Sequence, residues 1–179
     1  MSDGRSPDRA TSDTHRVIVG LDGSLACMGA LRRAALEARR AGTALHAVTV
    51  VSPRRRYDMD LPDPRHHEVA MAAGQDLLRA TFDAALGGLP ADLQNVLTVI
   101  AGEPATALAG FADEPGDLLI LGTSQRHGIR RWWHRSVSRY CVAHAGCPVL
   151  VLPLPPLART LERARLTRGV DNVEQLLRG

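Results

Sequence analysis

Three stretches of this 179-residue chain bring together residue types that could do chemistry. The first is Asp22-Gly23-Ser24, directly after the apolar run Val17 to Leu21. The second is Gly122-Thr123-Ser124-Gln125-Arg126, directly after Asp117 to Leu121. The third is the basic interval from Arg126 to Arg139, which contains Trp132 and Trp133. A serine nucleophile on a strained strand-to-helix turn requires the pattern GxSxG. Here Arg126 stands where the closing glycine belongs, so Ser124 reads as a loop hydroxyl. Asp22 and Ser24 have a plain structural reading as a turn followed by a helix cap. They are equally suited to line a site at the end of a strand.

All 22 basic residues are arginine, and lysine is absent. That removes the P-loop, whose lysine sits on the phosphates, and every Schiff-base mechanism, which needs an amine. The net charge of +3 is too small to argue for nucleic acid from the total. Cys27, Cys141 and Cys147 form no CxxC pair, and their odd number gives no disulfide framework, so they read as reduced and mostly buried thiols. His66 and His67 are adjacent but lack a His or Cys partner at ligand spacing, so they read as solvated and no metal site is drawn. No apolar run approaches the roughly 18 residues of a membrane span. The first fifteen residues also lack the apolar stretch of a secretory signal. A cytoplasmic protein with no membrane partner is expected.

The elements that must hold these residues follow from periodicity. Residues 1–14 are too polar to offset their ordering entropy and are expected to form a flexible arm. Val17 to Leu21 reads as a doubly buried strand. From Leu25 to Ala41, Leu31, Ala34, Ala35 and Ala38 recur at helical spacing opposite Arg32, Arg33, Arg39 and Arg40, with Gly42 at the closing position. Ala44 to Val51 reads as a strand, Ser52 to Pro64 as a long exposed loop, residues 66–86 as a helix ended by Gly87-Gly88, and Val96 to Ala101 as a third strand. Pro104 starts a helix through about Ala112, Asp117 to Leu121 is a fourth strand, Ser136 to His144 a fourth helix and Pro148 to Leu152 a fifth strand. Residues 154–179 form an extension with Leu157 and Leu161 as half a stripe. Its Asp171 and Glu174 stand at the spacing of a capping pair, and it is expected to be helical.

Strands alternating with helices imply an α/β fold with right-handed parallel crossovers and a sheet between two helix layers. The ligand site then lies at the C-terminal ends of the strands. Those ends fall at Asp22, Val51, Gly102, Gly122 and Pro153. A receiver domain would need an aspartate after the third strand and a lysine after the fifth, and neither is present. A dinucleotide fold would need GxGxxG where this chain has GLDGSL.

Taken together, VIVGLDGS at the first strand, GEPATAL after the third, DLLILGTS at the fourth and SVSRYCVAHAGCPVLVLP at the close resemble the universal stress protein family over residues 15–153. The resemblance implies a single domain with a five-stranded parallel sheet in the order 3-2-1-4-5. It also implies a homodimer along the fifth strand, a cytoplasmic stress-linked role and, in many members, bound ATP. The ATP-binding members carry a glycine, two residues, a glycine, nine residues, then glycine with serine or threonine, which delivers phosphates to a helix N-terminus. On this chain Gly122 matches the first glycine and Ser136 the hydroxyl, but Gln125 and Arg135 replace the second and third glycines. By the same matching, Gly20 and Asp22 fall at the adenosine end, Leu121 near the ribose and Val137 near the phosphates, with Val48 or Val50 on the adenine wall. Magnesium enters only with the nucleotide.

No acidic residue lies between Asp117 and Glu162, while Arg126, Arg130, Arg131, Arg135, Arg139 and Arg159 all do. This is either a solvated helix face or an anion site that uses guanidinium forks in place of backbone amides. The leading expectation is a homodimeric regulatory domain, not primarily an enzyme, whose adenine-nucleotide binding is weakened, altered or lost. A nucleotide hydrolase or transferase of the same superfamily is the alternative. A third reading uses the arginine and tryptophan patch on a partner or single-stranded nucleic acid.

Overall fold

The computed structural model describes residues 15–52, 64–123 and 137–154. The arm over residues 1–14, the loop over 53–63 and the extension beyond Leu154, with Asp171 and Glu174, lie outside the described residues.

Five strands and four helices alternate along the chain: β1 (Val17–Gly20), α1 (Leu25–Ala41), β2 (Leu45–Val51), α2 (Pro64–Leu86), β3 (Asn95–Ala101), α3 (Pro104–Phe111), β4 (Leu118–Gly122), α4 (Val137–His144) and β5 (Val149–Leu152). The strands form one sheet in the order β3-β2-β1-β4-β5. All four pairings are parallel, with Val17 opposite Leu45 on one side and Leu118 on the other. The central strand is apolar at every buried position because helices cover both of its faces.

On one face α1 and α2 bring Leu31, Ala34, Ala38, Leu78 and Phe82 against Val17, Val19, Leu45 and Ile120. On the other face α3 and α4 bring Leu108, Ala109 and Cys141 against Ile18, Val48, Leu119 and Leu121. The alanine stripe of α1 is what lets its backbone lie close to the sheet. Its ends are written locally. Ser24 Oγ accepts a hydrogen bond from the Cys27 amide, and Gly42, at φ 64°, takes the left-handed conformation that closes the helix. Helix α2 begins at Pro64, two residues before the expected position, because proline at a first helical position loses no intrahelical bond. His66 and His67 therefore belong to its first turn, and His67 is exposed.

The N-terminal end of the sheet is tied by an ion pair. Arg16, just before β1, donates from Nε to Asp117 Oδ1 at 2.9 Å and from Nη2 to Oδ2 at 2.5 Å. The Asp117 side chain is 0% exposed, and its neighbour Leu118 donates from its amide to the Arg16 carbonyl at 2.9 Å. A buried carboxylate requires such a partner, since leaving it unpaired costs several kcal/mol.

Candidate functional site

The opposite end of the sheet is a rim built by the residues that leave each strand. At β1 the chain turns through Leu21-Asp22-Gly23. The Leu21 amide still donates to the Val48 carbonyl at 2.8 Å, which holds the turn against β2. Asp22 is exposed, and its Oδ1 accepts from the Ser24 amide at 3.0 Å. With Ser24 capping α1 at 3.4 Å, this is the turn and cap that the residue types suggest. At β2 and β3, the Gly102 amide donates to the Val51 carbonyl and the Ser52 hydroxyl to the Gly102 carbonyl, both at 2.9 Å. At β4, the Thr123 amide donates to the Leu152 carbonyl at 2.8 Å. Leu154, only 2% exposed, packs on Ala26 in the first turn of α1.

The glycines of the rim have packing reasons of their own. A Cβ on Gly20 would stand 2.6 Å from Leu121 Cδ2 and 3.2 Å from Leu108 Cδ1. A Cβ on Gly122 would stand 2.6 Å from both the carbonyl carbon and the oxygen of Ala26, so only glycine lets α1 cross the end of β4 this closely. Of the two adenine-wall candidates, Val48 is completely buried, whereas Val50 is half-buried beside Ile100. Leu121 is almost fully covered, and Val137, the first residue of α4, is half-buried. Gln125, Arg135 and Ser136 lie outside the described residues, as do Ser124, Arg126, Arg130, Arg131, Trp132 and Trp133. Arg139, on α4, is exposed.

One rim residue escaped the sequence reading. Glu103 caps α3, with Oε2 accepting from the Thr106 amide at 2.9 Å and lying 3.1 Å from the Thr106 hydroxyl. The signal was present as an acidic residue directly before a helix-starting proline, with a threonine three positions on. Its consequence is electrostatic. Amides at the starts of α1 and α3 already donate to Ser24 and Glu103, and the exposed carboxylates of Asp22 and Glu103 make this half of the rim acidic. The exposed Asp22 carboxylate is an acceptor that a hydroxyl-bearing ligand could use.

The thiols near the rim are held inert. Burial pushes the Cys27 thiol up, and its Sγ donates to the Ser24 carbonyl at 3.0 Å. Burial, aided by Cys147 and Glu103, pushes Cys141 up to about 11. Among the described residues, no group of three or more His, Cys, Asp or Glu side chains is placed to hold a metal ion, and no helix is long and apolar enough to cross a membrane.

Comparison with known proteins agrees with this architecture. The sequence profile of the universal stress protein family matches residues 14–153. A protein of Staphylococcus saprophyticus named for that family is 28% identical over 139 residues, covering 76% of this chain and 81% of the relative. The structure of a universal stress protein from Lactobacillus plantarum superposes with a TM-score of 0.61 at 25% identity, covering 78% of this chain and 97% of that one. Another, described as a universal stress protein in complex with cAMP, superposes with a TM-score of 0.57 at 25% identity, covering 80% of this chain and all of its own.

Proposed function

The chain belongs to the universal stress protein family, and on that premise we propose that it is a cytoplasmic, homodimeric regulatory domain with a retuned adenine-nucleotide site at the rim of the sheet. The observation that carries the reading is the parallel pairing of β1 with β4, which brings the exits from Gly20 and Gly122 side by side. A relative of the same fold is described in complex with cAMP. The base is assigned to the half-buried side of Val50 and the ribose hydroxyls to the acidic half of the rim near Asp22. The phosphates are assigned to the segment from Gly122 to Val137, where Gln125 and Arg135 replace glycines and Ser136 supplies a hydroxyl. If those positions require a positive φ, each replacement costs about 1 to 2 kcal/mol.

The dimer is assigned to β5. Among the described residues β5 is an edge strand, only partly buried along all four of its residues, and an apolar edge without a partner strand invites association. Residues 1–14 and 154–179 are read as extensions to a single domain.

Titration calorimetry with magnesium-ATP tests the site. The expected Kd is weaker than about 100 μM, because losing about 3 kcal/mol from a micromolar site costs more than a hundredfold. The double variant Gln125→Gly, Arg135→Gly is expected to recover binding. Arg135→Gly alone decides the role of the arginine. Tighter binding means that it obstructs, and weaker binding with a smaller salt dependence means that it replaces the missing amides. Tight ATP binding by the unmodified chain would overturn the reading, and mass-detected ADP or AMP would move the chain among the catalysts. Light scattering that shows a monomer at micromolar concentration would overturn the dimer.

A further inference from the structure

His46 lies partly buried at the other end of the sheet from the proposed nucleotide site, in surroundings that disfavour its charged form. It stands on β2 between Leu45 and Ala47, both fully buried, and pairs in register with Ile18 of β1 and Val96 of β3. Its Nδ1 is buried with no hydrogen-bond partner among the described residues, which is costly for a polar atom even in the neutral ring. The imidazole faces Phe111 of α3 at 6.5 Å between centroids. The Arg16 guanidinium lies over the same Phe111 ring, 5.5 Å from its centroid, so the ring has a cation on hand already.

The charged groups that act on His46 are Arg16, at the start of β1, and Asp117, just before β4. The neighbours on α3 and β3, Phe111 and Val96, add no charge. Asp117 is taken up by Arg16 through two side-chain hydrogen bonds, and the Arg16 amide adds a third at 3.3 Å. Asp113 stands farther off, 3.8 Å from Arg16. A proton on His46 would therefore place a second cation beside one that already holds the buried carboxylate.

We propose that His46 makes this corner of the fold proton-sensitive: neutral, it packs beside Phe111 and leaves Arg16 locked on Asp117, and protonated, it loosens the joint between β1, the end of α3 and the start of β4. Burial first, and Arg16 second, hold the imidazole below its ordinary value of 6.5, with Asp117 opposing. A histidine lowered in the folded state takes up its proton more readily when unfolded. Stability is therefore full above about pH 6.5 and is lost as pH falls through that value toward the folded-state midpoint.

The test uses the full chain. Imidazole NMR of the wild type should place the His46 midpoint below 6.5, and the protection factor of the Leu118 amide, its intrinsic exchange rate over the observed rate at the same pH, should fall between pH 7.5 and 5.5 more than those of amides in the middle of β2. Urea unfolding at the same two pH values should show the wild-type unfolding constant rising more than that of His46→Gln, by between about twofold and tenfold. The upper limit is set by an unfolded imidazole near 6.5. Every other ionisable group is common to both proteins, so the difference isolates His46. A His46 midpoint at or above 6.5, or equal pH losses in both proteins, overturns the proposal. Should His46→Gln not fold, the wild-type midpoint and the Leu118 exchange decide it.

Discussion

Replacing Gly122 by alanine separates two reasons for a glycine at the end of β4. If it served only to admit phosphate, Gly122→Ala would leave the unliganded protein as stable as before. The geometry says otherwise. The new Cβ would lie 2.6 Å from both the carbonyl carbon and the oxygen of Ala26 and 3.0 Å from its Cβ. Comfortable contact between carbon atoms begins near 3.5 Å, so the first turn of α1 must retreat by about 1 Å. Ala26 and Cys27 are each 2% exposed, and the obstacle is backbone, which cannot rotate aside. Overpacking costs about 1 to 3 kcal/mol, and this site belongs at the upper end. For a chain of this length each kcal/mol lowers Tm by about 2 to 4 °C, so about 6 to 12 °C is expected without nucleotide.

Two controls grade the effect. Gly20→Ala meets Leu121 Cδ2, the end of a side chain that can rotate, and should cost about 1 kcal/mol. Gly110→Ala, on α3, meets nothing within 4 Å and should be neutral or stabilise by up to about 1 kcal/mol. Thermal and urea unfolding followed by circular dichroism would measure all three. A Gly122→Ala protein as stable as wild type, or no more destabilised than Gly20→Ala, would refute the close-approach account.

Asp117→Asn leaves the Arg16 guanidinium without its carboxylate. It should cost about 3 kcal/mol in urea unfolding, the low end for a broken buried pair because Arg16 is 23% exposed and can rehydrate in part. A loss below about 1 kcal/mol would show that the pair is dispensable. Ser24→Ala removes a long, 3.4 Å cap bond from α1 and should cost about 0.5 to 1 kcal/mol; unchanged stability would mean that Asp22 alone holds the turn. At pH 8, Cys141, with its thiol at about 11, should react with iodoacetamide only on unfolding, and rapid alkylation of the native protein, read by mass, would contradict its burial.

The alternation of strands and helices, the limits of α1 and the turn at Asp22 were legible in the residues because each depends on neighbours within a few positions. Alanines at helical spacing, a serine before the first turn and a glycine after the last state where α1 lies, whatever packs on it. The tertiary structure decided matters that depend on distance across the fold. Arg16 and Asp117 are 101 residues apart and meet only because β1 and β4 are neighbours in the sheet. Gly122 reads in sequence as one position of a phosphate motif, yet its nearest obstacle is the backbone of Ala26, a contact that exists only once α1 has crossed the end of β4. Val48 and Val50 are indistinguishable by type and alternation. Two residues along the same strand, coverage by α3 buries the first completely and leaves the second half-open at the rim. Local propensity is written in the order of residues, whereas close approach is set by which layers happen to pack, and no short window of sequence carries that information.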